Sequence, residues 1–167
     1  MARLCNEQGV AANKGASVVT VASPHRGAHL AQICMDMPER YRGSTKILRT
    51  FGYDIARRRE FFNELTAASV GALFSAAKSH SNSTRTASIV CHAPRAEWCV
   101  PLKLFYQVKA FADFDLPSDG VIERDTQAFG DVIAELNIDH FRQVGLFGEA
   151  RRFQQLCDVA TDFFKTS

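Results

Sequence analysis

A carboxylate that holds one nitrogen of an imidazole fixes the ring's tautomer and stabilises the imidazolium. The other nitrogen can then take a proton from a nucleophile. Two residues of this chain stand in loops suited to such a pair. Asp119 lies in the turn-forming run Pro117-Ser-Asp-Gly120, and His140 follows Asp139 shortly before a long amphipathic stretch. They are 21 residues apart, which leaves room for a strand and a helix to bring the chain back to one edge. Spacing alone specifies little, because the two must meet in space and not in sequence.

The elements that would position them read as follows. Residues 1–12 can be helical, with a turn at Asn13-Lys14-Gly15. Ala16-Ser-Val-Val-Thr-Val-Ala22 is short, apolar and β-branched, the pattern of a strand buried in a parallel sheet. Ser23-Pro24-His25-Arg26-Gly27 ends it, since proline stops the ladder and glycine permits a tight turn. A helix can begin over 28–35. Residues 36–80 read as helical, with Phe62, Leu65, Ser69, Ala72, Leu73 and Ala76 in one stripe and breaks at Gly43, Gly52 and Gly71. Ser79 to Arg85 is polar. Ile89-Val90-Cys91 is the lesser strand candidate and Leu102 to Phe111 the greater. Residues 125–135 suit a short helix or strand, Asn137 to His140 a loop, and 146–165 a closing helix. Strands alternating with helices predict an α/β protein with a mostly parallel sheet. In such sheets, working residues gather just beyond the carboxyl ends of the strands.

Three motifs carry a resemblance. Val18-Val-Thr-Val-Ala-Ser-Pro-His-Arg-Gly27 resembles the strand-end motif of triacylglycerol lipases. Ser118-Asp-Gly-Val-Ile122 resembles the loop that carries the family's triad acid, and Ile138-Asp-His-Phe-Arg-Gln-Val-Gly145 the loop that carries its histidine. They occur in the family's order and cover most of 16–165, while 36–80 matches poorly. The resemblance implies an incomplete α/β-hydrolase fold: the C-terminal strands and helices, as a single partial domain over 1–167, with a helical cap-like insert and candidate lid at 36–80. It implies a lipase or related carboxylic ester hydrolase of the Ser-His-Asp type, acting on a lipid or other ester without a cofactor. Asp119 and His140 would be the catalytic acid and histidine, with Asp113 or Asp115 as runner-up acid. Ser23, Pro24, His25, Arg26 and Gly27 would form a supporting active-site loop, His25 bracing it and Arg26 holding a carbonyl or carboxylate. Many bacterial members bind structural calcium through an Asp two residues after the histidine. That position is Arg142, a cation, so no metal site of that type is expected.

The family's nucleophile precedes the acid and the histidine, in a Gly-x-Ser-x-Gly elbow. No such motif exists among the 167 residues. Met1-Ala-Arg-Leu4 resembles the helix that follows the elbow, so the missing serine is expected just ahead of Met1. Ser23 sits beside Pro24 without the glycine pair that shapes an elbow, Ser17 falls inside the strand, and nothing near Cys34 or Cys91 suggests a thiolate. The alternative to a lipase is a non-catalytic half-fold serving as an interaction module.

Composition sets the outer limits. Apolar residues make up 46% and charged residues 23%, an ordinary globular balance, and a formal charge of +2 lacks the footprint of a nucleic-acid binder. The local exception is the basic run in 39–59, from Arg40 to Arg59. It suits a solvated helix face or, followed by Phe61-Phe62, contact with a lipid surface. No stretch approaches the roughly 20 apolar residues of a transmembrane segment. Five scattered cysteines without CxxC spacing argue against zinc, and as small buried hydrophobes they favour an intracellular setting.

Overall fold

A computed structural model of the protein describes residues 17–40, 46, 49, 54, 56–77, 85–108, 111, 115–148 and 150–166. The expected helix over 1–12 and turn at 13–15, Ala16, Gly43, Gly52, most of 41–55, His80 with its polar surroundings to 84, and Asp113 lie outside these residues. Among the described residues, three parallel strands form one sheet in sequence order. They are β1 (Ser17–Val21), β2 (Arg85–His92) and β3 (Asp131–Asn137). β1 aligns Ser17 with Arg85 through Val21 with Ile89, and β2 aligns Ala87 with Asp131 through His92 with Asn137. Being parallel, the three strands send their carboxyl ends to one edge. The loops beginning at Ala22, Ala93 and Ile138 all start there.

Helix α1 (His29–Arg40) follows β1, and further along the chain the described residues form α2 (Arg59–Glu64) and α3 (Ala67–Ala77). The break between α2 and α3 falls at Leu65-Thr66 and not at Gly71, which lies inside α3. Thr66 makes the break by capping α3: its Oγ1 accepts the Ser69 N–H at 3.4 Å and donates to Asn63 O at 2.8 Å. Phe62 and Leu65 pack on Ala28, Ala31 and Ile122.

Two expectations about strands are overturned. The described residues of Leu102 to Phe111 are not a strand; α4 runs over Val100–Phe105, with Pro101 in its first turn. Proline there is compatible with a helix start, and Leu102 and Tyr106 are buried four residues apart on one face while Lys103 and Leu104 are exposed. The lesser candidate around Ile89 is the central eight-residue strand β2. Its polar residues hid it, and the fold satisfies them: Ser88 Oγ donates to Phe129 O at 2.6 Å and accepts the Phe129 N–H at 2.7 Å. Residues 125–135 divide into a 3-10 turn (Arg124–Thr126) and the start of β3.

The closing helix α5 (Ala150–Lys165) starts later than its apolar stripe implied. Phe147 at φ 60° and Gly148 at φ 88° are left-handed and cannot belong to it, and Leu146 and Phe147 are exposed. Leu156, Val159 and Ala160 of α5 pack on Ile89, Cys91, Leu136 and Ile138 from the sheet. A second core gathers Leu30, Cys34 and Met37 of α1 with Trp98, Leu102, Tyr106 and Phe111.

Candidate active site

Asp119 sits in a small antiparallel turn. Ser118 bridges Glu123, Asp119 N–H donates to Ile122 O at 3.1 Å, and Gly120 takes φ 95° at the tip. Three groups fasten this turn. Ala93 N–H, just past β2, donates to Ser118 O at 2.9 Å. Tyr106 Oη donates to Gly120 O at 3.0 Å. Gln127, fully buried, accepts the Cys91 N–H at 2.7 Å and donates to Cys91 O and Ile122 O. The acid loop is therefore joined to the end of β2, with α4 spanning the excursion between them.

His140 lies three residues past β3, and two bonds bring it to Asp119. Its N–H donates to Asp119 O at 2.8 Å, and its Nδ1 lies 2.8 Å from Asp119 Oδ2. Asp119 is wholly buried, while 39% of the His140 side chain is exposed. The other carboxylate oxygen accepts N–H groups from Val121 at 2.8 Å and Ile122 at 2.7 Å. No described residue is hydrogen-bonded to His140 Nε2.

A second buried carboxylate holds the histidine loop. Asp139 reads as an ordinary loop residue in the sequence, yet it is fully buried. It accepts N–H groups from Phe141, Arg142 and Cys99, and it pairs with the Arg142 guanidinium at 3.0 Å. Arg142 also donates to Glu97 O. A cation thus ties the His140 loop to the segment that leads into α4. Among the described residues, no cluster of His, Cys, Asp and Glu is placed to hold a metal ion.

Opposing effects act on the His140 imidazole. Burial works against its charge, but the hydrogen bond to Asp119 and the charges of Asp119 and Asp139 outweigh burial and leave the pKa above its ordinary value of 6.5. A raised folded pKa gives stability that is complete below the unfolded value and lost as pH rises through the folded one. An NMR titration of the His140 imidazole is expected to show a midpoint above 6.5; a midpoint at or below it means that burial prevails.

The loop after β1 lies at the same sheet edge but does not contribute to this pair. Ser23 Oγ donates to Val21 O at 3.2 Å. Ser17 is at the start of β1. His25 is buried, with Nε2 3.0 Å from Thr20 Oγ1 and its ring stacked on Phe129. Arg26 is exposed, and its backbone N–H donates to Thr126 O. Its guanidinium has no carbonyl or carboxylate partner among the described residues. Pro24 O accepts the Gly27 N–H at 3.1 Å. Of the alternative acids, Asp115 is exposed and Asp113 is outside the described residues. Cys34 and Cys91 are buried, and burial pushes both thiols up to about 12, which keeps them protonated at neutral pH. Cys34, Cys91, Cys99 and Cys157 are free.

Sequence reasoning missed Gln143, Gln127 and Asp139. Glutamine in a loop carries no pattern, and Asp139 was overshadowed by its neighbour.

The parallel sheet with its packed helices defines an α/β protein. Among solved structures it is similar to the crystal structure of a metagenomic carboxyl esterase, with a TM-score of 0.62 and 17% identity, over 96% of this chain and 51% of that one. The chain therefore spans about half the length of the esterase that it matches, and what it shares is a partial hydrolase-like fold. No protein-family model and no curated protein matches it. No helix among the described residues is long and apolar enough to cross a membrane.

Proposed function

We propose that this chain carries the acid and the histidine of a Ser-His-Asp carboxylic ester hydrolase of lipase type. The attacking hydroxyl would come from a serine elbow that these 167 residues do not contain. The observation that carries the reading is the 2.8 Å contact between His140 Nδ1 and the wholly buried Asp119. In this reading Asp119 holds the Nδ1–H tautomer, which leaves Nε2 as the base. His140 takes the serine proton as the hydroxyl attacks the ester carbonyl, then passes it to the leaving alcohol. A water molecule, deprotonated by the same nitrogen, then releases the acyl group. The loop from Ser23 to Gly27 supports the site from β1, and the helices within 36–80 form part of a cap.

The test uses two proteins: the 167-residue chain, and the chain extended by any in-frame upstream sequence that holds Gly-x-Ser-x-Gly. A fluorophosphonate probe and a nitrophenyl ester are expected to report activity in the extended protein alone, with loss on His140→Ala. Serine labelling in the short chain would overturn the assignment of the nucleophile. An extended protein with the elbow but no ester hydrolysis favours the non-catalytic interaction module.

A further inference from the structure

We infer that Gln143 is a positioning residue for Asp119, dividing one carboxylate oxygen with His140. A buried carboxylate offers about four acceptor directions. Asp119 meets four donors. Val121 N–H and Ile122 N–H reach Oδ1, while His140 Nδ1 and Gln143 Nε2 each reach Oδ2 at 2.8 Å. The carboxylate is fully buried and Gln143 nearly so, so solvent has little room to substitute for any of them. The carboxylate cannot rotate without disturbing these contacts.

Local geometry supplies the fourth donor. Gln143 follows His140 by three residues, in the 3-10 turn Arg142–Val144. His140 stands just before that turn, and about one helical turn later the chain brings Gln143 back to the same side. The Gln143 N–H closes onto Asp139 O at 3.2 Å, and Gly145, left-handed at φ 76°, ends the turn. Both side chains therefore reach the same oxygen from one short segment.

The chemical consequence lies in the sharing. A neutral amide N–H on Oδ2 draws on the charge that would otherwise bear on the imidazolium. Gln143 thus orients Asp119 while restraining how strongly it holds the proton on His140. The other charged groups about the pair are Asp139 and the Arg142 guanidinium bound to it. Cys91, beside Asp119, is neutral at ordinary pH.

This rests on Asp119 and His140 being the acid–histidine pair, but an imidazole titration reads the network whether or not esters are hydrolysed. In Gln143→Met, which keeps side-chain length and removes the donor, the His140 NMR midpoint is expected to rise by about half to one pH unit. An unchanged midpoint in a folded variant overturns the inference, because a packing role alone leaves the titration in place. Should the variant not fold, the unsubstituted chain decides. The Gln143 side-chain amide resonance is expected to shift with the same midpoint as the His140 ring. A flat amide resonance across that titration overturns the inference.

Discussion

Asp119→Asn lowers the His140 midpoint below 6.5, reversing the direction of its displacement. In the native site, burial opposes the imidazolium and Asp119 more than compensates. Asparagine removes the charge and leaves the burial. Its amide can still accept the Val121 and Ile122 N–H groups through Oδ1, so the turn keeps its shape. The position of Oδ2 is then occupied by an NH2 group facing His140 Nδ1 and the Gln143 amide. The ring is driven toward the tautomer that accepts at Nδ1, and Nε2 then carries the proton and cannot act as a base. In an extended protein that holds the proposed serine elbow, ester hydrolysis is expected to fall on the order of 10⁴-fold. Asp119→Ala goes further, because it leaves four donors without their acceptor around a buried void. A loss on the order of 3–5 kcal/mol follows. For a chain of this size that lowers Tm by about 10 °C. Calorimetry alongside the titration separates the two effects, and an Asn variant that keeps both its midpoint and its activity removes Asp119 from the pair.

Gly27→Ala is expected to damage the fold heavily for a change of one methyl group. Gly27 has φ 87°, a conformation that a side chain disfavours. A Cβ there would stand 2.5 Å from both Cα and N of Ala67 and 2.8 Å from the carbonyl carbon of Thr66. These are backbone atoms and cannot swing aside. The next residue confirms the close fit, with Ala28 N–H donating to Leu65 O at 2.8 Å. The loop after β1 is thus pressed against the junction of α2 and α3. Strain and displacement together are expected to cost on the order of 3–5 kcal/mol, read by denaturant unfolding. A loss under about 1 kcal/mol would show that the junction moves freely.

Part of this was legible from residue order. Ser23-Pro24-His25-Arg26-Gly27 marked the end of a strand, because proline and glycine act on the backbone wherever they stand, but that strand, expected to be buried on both faces, is only partly buried at the edge of the described sheet. The α/β class followed from the alternation of segments, and the likeness to an esterase fold agrees with it. β2 was underrated, because Thr86 and Ser88 interrupt its apolar pattern, and the partners of Ser88, Thr20 and Phe129, lie far along the chain. Leu102 to Phe111 misled for the opposite reason. A short apolar run fits either period, and the choice fell to the face of α4 that Leu102 and Tyr106 share.

The sequence by itself determined the kinds of chemistry on offer: a carboxylate in a tight turn, a histidine before a helix, and no serine elbow. These depend on local backbone preference and on residue identity. Only the tertiary structure decided that Asp119 and His140 touch. It also decided that Asp139 and Arg142 hold the histidine loop from behind, and that Gln143 takes the remaining place on Asp119. The reason is physical. A buried carboxylate is set by how many donors converge on it, and here those donors come from the turn of Asp119 itself and from a loop more than a strand away. No single segment encodes that convergence.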